Sequence, residues 1–143
     1  MKEIKDLVEE VFEKGYLMSL GVADEGGVWV ADVIFIWEEG FIYWLSDPDV
    51  RHSKAVLKNP QVAATITVSN GKGEDNIGLQ IEGMVEKVEG DVMSVAIAHR
   101  LKRGKPAPKE LGEILEGDSW YRMKPTKIEL IYEPLFGFEK REL

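Results

Sequence analysis

Apolar residues recur at Ile4, Leu7, Val8, Val11 and Phe12 with Glu and Lys between them, which predicts an amphipathic helix over residues 3–14. Gly15 is a natural stop, and the helix is expected to cover one open face of a sheet. Beyond it come short segments rich in β-branched and aromatic residues. Strands are predicted over 16–23, 28–37 and 41–46, turned by Asp24-Glu25-Gly26-Gly27 and Glu38-Glu39-Gly40, so the three form a meander. A helix at about 50–58 ends before Asn59-Pro60, because a residue preceding proline is pushed away from helical geometry. Strands over 61–69 and 77–88 follow, joined by a polar loop. Residues 91–103 read as a helix with Val92, Val95, Ala96 and His99 on one side. A basic, proline-containing loop from Lys102 to Pro108 leads to a short helix through Leu111, Ile114 and Leu115. The last strand is expected over 119–132, bent near Pro125, with Glu133-Pro134 and Gly137 breaking up the tail. Six strands with a few helices, and no strand–helix alternation, predict a mainly β fold: an antiparallel barrel with helices rather than a parallel nucleotide-binding sheet.

The strand at 28–37 carries a second message. Odd positions give Trp29, Ala31, Val33, Phe35 and Trp37, and even positions give Val28, Val30, Asp32, Ile34 and Ile36. Successive side chains point to opposite faces, so both faces are apolar apart from Asp32. A barrel wall needs one apolar face. The second is left for a helix, a partner subunit or a flat ligand to cover.

Composition narrows the function classes. The 143 residues, 44% of them hydrophobic, fit a single domain over 1–143 with one core. A net charge of −8 argues against general binding to nucleic acid or an anionic membrane, whose phosphates it repels. The absence of cysteine excludes disulfides, thiolate metal sites and cysteine nucleophiles. With two histidines, His52 and His99, no histidine-based metal site is expected. No apolar signal core opens the chain and no segment has the length of a membrane span, so a cytoplasmic protein is expected.

Against that acidic background, basic residues cluster at the start of the helix near 50–58. Asp47 and Asp49 are expected to cap its start, and Pro48 suits a first helical position. Outward N–H groups with partial positive charge favour a phosphate there. Arg51 can grip phosphate oxygens in a fork, Lys54 adds a charge one turn on, and Ser46 offers a hydroxyl at the strand end. The same residues also read as a well-made turn, with Arg51 paired to a nearby acid and His52 as a packed or solvated surface histidine. Trp44, Trp120 and Tyr121 read as core or interface aromatics, or as the edge of a planar ligand's site. No side chain stands out as a catalytic acid or base.

Leu45-Ser46-Asp47-Pro48-Asp49-Val50-Arg51-His52-Ser53, Asn59-Pro60-Gln61-Val62-Ala63, Gly78-Leu79-Gln80-Ile81-Glu82-Gly83 and Gly137-Phe138-Glu139-Lys140 together resemble the pyridoxamine 5′-phosphate oxidase-like, FMN-binding split-barrel superfamily. The resemblance, to a small prokaryotic branch, covers most of the chain. It implies a six-stranded antiparallel split barrel forming a homodimer, with two flavin sites at the interface. It also implies that Ser46, Arg51 and His52, with Lys54 close behind, hold the FMN phosphate. The isoalloxazine ring would lie against Asp32, Val33 and Ile34, largely through backbone groups, and Gln80 and Trp120 would reach toward a flavin. The vitamin B6 oxidases carry basic residues where this chain has Asp32. Their carboxy-terminal substrate pattern is not recognisable around Trp120 to Lys127, which argues against pyridoxamine phosphate oxidation itself. The expected function is flavin-dependent redox chemistry on a small molecule. A non-catalytic sensor or store, and a dimer that has lost its flavin site, are the alternatives; a haem-binding variant ranks last.

Overall fold

The computed structural model describes residues 2–69, 71–109 and 117–143; the helix expected through Leu111, Ile114 and Leu115 lies outside them. The order is α1 (Ile4–Lys14), β1 (Leu17–Asp24), β2 (Gly27–Glu38), β3 (Phe41–Ser46), α2 (Arg51–Lys58), β4 (Gln61–Thr67), β5 (Ile77–Lys87), α3 (Met93–Lys102), β6 (Ser119–Tyr132), α4 (Glu133–Phe136) and β7 (Arg141–Glu142). Every strand pairing among the described residues is antiparallel. The strands run β3-β2-β1-β4-β5-β6, and β6 pairs back onto β3, closing a six-stranded barrel. The two-residue β7 adds at the edge of β6, where the sequence reading had only a broken tail.

Turn chemistry fixes the meander. Asp24 pairs with Gly27, leaving Glu25 and Gly26 as a two-residue loop, and the Asp24 carboxylate accepts the Gly26 N–H at 2.9 Å. Glu38 pairs with Phe41, and Glu39 and Gly40 both take positive φ, 50° and 84°, as a tight hairpin of this hand requires. The bend expected near Pro125 is a register shift: Gly83 faces Pro125 while Glu82 faces Lys127. Thr126 is the extra residue, its hydroxyl donating to the Glu82 carbonyl.

Inward residues of the wall, among them Met18, Leu20, Phe35, Ile66, Leu79 and Leu130, form one buried cluster. α1 does not lie over an open sheet face as expected. Leu7, Val8, Val11 and Phe12 join the barrel's interior cluster, with Phe12 stacked on Trp37 at 4.0 Å between ring centroids. Ala55 and Val56 of α2 enter the same cluster. α3 covers the outside of the wall, where Val92, Val95 and Ala96 pack on Ile36, Tyr43 and Trp120.

The doubly apolar strand is therefore covered only in part. The outer face of β2 is sealed by α3 at Ile36, but Val28 and Val30 are 84% and 62% exposed. Among the described residues, no helix is long and apolar enough to cross a membrane.

Candidate functional site

The turn before α2 is built differently from the expectation. The Asp47 carboxylate accepts the Asp49 N–H at 2.8 Å, closing a local turn that uses the fixed φ of Pro48. The helix starts later, with Val50 as N-cap and no side-chain cap bond, so neither aspartate caps it. The first backbone bond of the helix runs from the Lys54 N–H to the Val50 carbonyl, which leaves the N–H groups of Arg51, His52 and Ser53 with no acceptor inside the helix. No acid stands in that first turn; Arg51 and His52 do. Cations at a helix start oppose its dipole, and a bound anion would reverse that penalty.

Ser46, at the end of β3, lies 2.7 Å from His52 Nε2. Burial lowers the His52 pKa below the ordinary imidazole value, so the ring is neutral at pH 7, and its tautomer sets which of the two groups donates. Beside them the Ser53 hydroxyl is buried with no hydrogen-bond partner among the described residues.

Arg51 turns elsewhere. Its Nε and Nη2 donate to the two Asp24 oxygens at 2.9 and 3.0 Å, and its guanidinium sits 4.8 Å from the centre of the Trp29 ring. It thus ties α2 to the β1–β2 turn. With Lys54, Lys58 and Gly26 it lines a cleft of about 1020 Å³. The hydrogen bond from Arg51 holds the Asp24 carboxyl below its ordinary range and raises the arginine correspondingly.

Asp32 and Gln80 share one row across the outer face. Asp32 pairs with Ser19, Ser19 with Thr65, and Thr65 with Gln80. The Ser19 hydroxyl donates to Asp32 at 2.6 Å. Ser19, Gly21, Val30, Ala63, Thr65 and Gln80 line a shallow groove of about 370 Å³ on this face. Val33 is buried inward, so it can meet a ligand only through its backbone, while Ile34 is half-buried on the outer side. Trp120 is a correction: it packs beneath α3 at 2% exposure, edge-on to His99, and has no face left to edge a ligand.

The structure thus brings Ser46 to His52 and Arg51 to Lys54, and sets Asp32 and Gln80 in one row three strands apart, so the expected site residues fall in separate places rather than one. Sequence reasoning missed Asp24, Trp29 and Ser19 as partners of the site. Asp24 read as a turn residue, and a partner 27 positions from Arg51 leaves no local signal.

No family model matches the chain. Over 99 residues it is 25% identical to a UPF0306 protein of Photorhabdus laumondii, spanning 68% of this chain and 69% of that one. A candidate pyridoxamine 5′-phosphate oxidase from Listeria innocua superposes with a TM-score of 0.72 at 16% identity, over 90% of this chain and 98% of that one. A FAD-binding protein from Mesorhizobium loti gives a TM-score of 0.62 at 16% identity, over 89% and 92% of the two chains. At these identities the likeness is one of architecture, and by it the chain has the split-barrel fold of the pyridoxamine 5′-phosphate oxidase-like proteins.

Proposed function

We propose that this chain, acting as one domain, is a homodimeric FMN-binding protein that carries out flavin-dependent redox chemistry on a small molecule. The observation that carries this reading is the start of α2: an uncapped, basic first turn beside the Ser46 hydroxyl and a neutral His52. A hydroxyl, an imidazole and free helix N–H groups are the donor set a phosphate monoester takes. The unpartnered, buried Ser53 hydroxyl fits the same assignment. For the ring, the outer face of β2 offers backbone groups at Asp32, Val33 and Ile34, with Gln80 across the sheet and Asp32 as an acceptor for a ring N–H.

A bound flavin would supply the electron-accepting and electron-donating chemistry. The chain's own residues would hold the phosphate, orient the ring and restrict access to it. The exposed pair Val28 and Val30, on the face that α3 leaves open, supports a second copy as its cover, with the flavin between the two. One observation favours a chain that has given up the flavin: Arg51, the strongest phosphate ligand available, is already engaged by Asp24.

The visible spectrum of the purified protein, before and after adding FMN, tests the proposal. Flavin absorbance that co-purifies, or an FMN titration that saturates at one site per chain, is expected, followed by reduction with NADH or NADPH. A colourless protein with no titration signal would overturn it.

A further inference from the structure

Two kinds of anion-binding group meet at the head of α2, and only one of them is idle. The N–H groups of Arg51, His52 and Ser53 have no acceptor inside the helix, and the Ser53 hydroxyl is buried with no partner among the described residues. The Arg51 guanidinium, on the same turn, already holds an anion. Its Nε and Nη2 donate to the two Asp24 oxygens in the parallel fork that an arginine also offers to two phosphate oxygens. The Asp24 carboxylate is thus an internal stand-in for the ligand group that suits the rest of the turn.

The hairpin presents that carboxylate. Asp24 Oδ1 is fixed by the Gly26 N–H at 2.9 Å. Gly26 leaves room for the guanidinium, since a Cβ there would sit 3.3 Å from Nη2. Trp29 backs the guanidinium at 4.8 Å, so the tip of the β1–β2 hairpin is latched to α2 through Arg51. The latch is open to exchange. The Arg51 and Asp24 side chains are 38% and 23% exposed, and an ion pair so wet contributes little net stability. Both line the cleft of about 1020 Å³, where Lys54 and Lys58 pair with no carboxylate among the described residues and Glu25 and Asp49 complete the charged lining. Lys102 shows the contrast: its Nζ, 3.6 Å from the centre of the Phe35 ring, donates at 2.6 Å to the Phe35 carbonyl, an acceptor without charge.

We propose, resting on the phosphate reading of this turn, that Asp24 is an intramolecular competitor for Arg51. A ligand phosphate at the start of α2 takes the guanidinium from Asp24 and Trp29, and the exchange unlatches the hairpin tip. Only hydrogen bonds and ion pairs change hands. A competitor of this strength lowers the apparent phosphate affinity by the fraction of copies that are unlatched, roughly two- to fivefold.

The test is a double-mutant cycle, read by titrating the full chain with FMN and, separately, with inorganic phosphate. Asp24→Asn keeps an acceptor for the Gly26 N–H and removes the charge, so either ligand should bind roughly two- to fivefold more tightly. In the Arg51→Ala background the same substitution should lose that gain, because no arginine remains to be released. In the wild type, saturating inorganic phosphate should shift the Trp29 emission, identified by its absence in Trp29→Phe, as the guanidinium leaves the ring. A gain of the same size without Arg51 would make Asp24 a repelling charge and overturn the proposal. So would no gain at all, or a Trp29 emission that saturating phosphate leaves unmoved. FMN that fails to bind while inorganic phosphate shows the full cycle sinks the flavin reading alone. FMN that binds with no effect of Asp24 sinks the latch alone, and binding of neither ligand overturns both.

Discussion

Arg51 and Asp24 form a two-pronged clasp, Nε to Oδ2 at 2.9 Å and Nη2 to Oδ1 at 3.0 Å, between the head of α2 and the end of β1. The residue best suited to grip a phosphate is holding the hairpin in place. The flavin reading therefore turns on whether this arginine exchanges partners.

Asp24→Asn tests the exchange directly. It removes the competing charge while keeping the side chain's shape, so FMN should bind more tightly to the variant if Arg51 joins the phosphate site. Flavin fluorescence titration measures this. Equal or weaker affinity would assign Arg51 to the hairpin alone.

The same pair sets an acid limb in stability. Asp24 titrates below its unfolded value, so the clasp contributes fully above about pH 4 and is lost as pH falls through the lower, folded pKa. Urea midpoints of the wild type and Asp24→Asn should differ at pH 7 and converge once the pH falls below the folded-state pKa of Asp24. A gap that persists at low pH would mean that the carboxylate's charge is not what the clasp uses.

Ser46→Ala removes the hydroxyl paired with His52 and should cost about 1 kcal/mol of stability. FMN affinity should fall roughly tenfold, the worth of one hydrogen bond to a charged group. His52, with its pKa lowered by burial, adds a second signature. Stability should decline as pH drops below about 6.5, where the unfolded chain takes up the proton first. His52→Gln should remove that slope in denaturation curves recorded between pH 5 and 8.

Phe12→Ala should destabilise the fold by about 3–5 kcal/mol, since the ring is 2% exposed and fills the interior against Phe35 and Trp37. Chemical denaturation gives the value. A loss under about 1 kcal/mol would mean that α1 is peripheral to the core.

Val30→Arg places a charge on the open outer face of β2, 62% exposed in the single chain. If a second copy covers that face, the variant should sediment as one chain where the wild type sediments as two. Unchanged sedimentation would move the interface elsewhere.

Much of the barrel is legible because its signals are local. The alternation of β2 and the Glu39-Gly40 turn are readable from neighbours alone, as is the buried face Val92, Val95, Ala96 and His99 of α3. The glycines of the 78–83 motif have a reason that only the packing supplies. A Cβ on Gly78 would come 2.5 Å from the Ile66 carbonyl oxygen, and one on Gly83 would meet Met123 at 2.6 Å. The site was less legible. Asp47 and Asp49 looked like caps because turn and cap use the same residue types, and the difference rests on which N–H the Asp47 oxygen finds. Lys102 read as the start of a basic loop. Its acceptor, 67 residues away in β2, is set by the docking of α3 and not by any pattern around it.

The closure of the barrel by β6 also has a kinetic consequence. Ile42 must find Met123, and Leu79 must find Leu130, before the wall is continuous. Until residues 119–132 dock, the far sides of β3 and β5 are bare edges with unspent backbone donors and acceptors, open to any other strand. Contacts so distant along the chain form slowly. The last strand is thus the clasp of the fold, and the interval before it closes is when this protein is most exposed to pairing with the wrong chain.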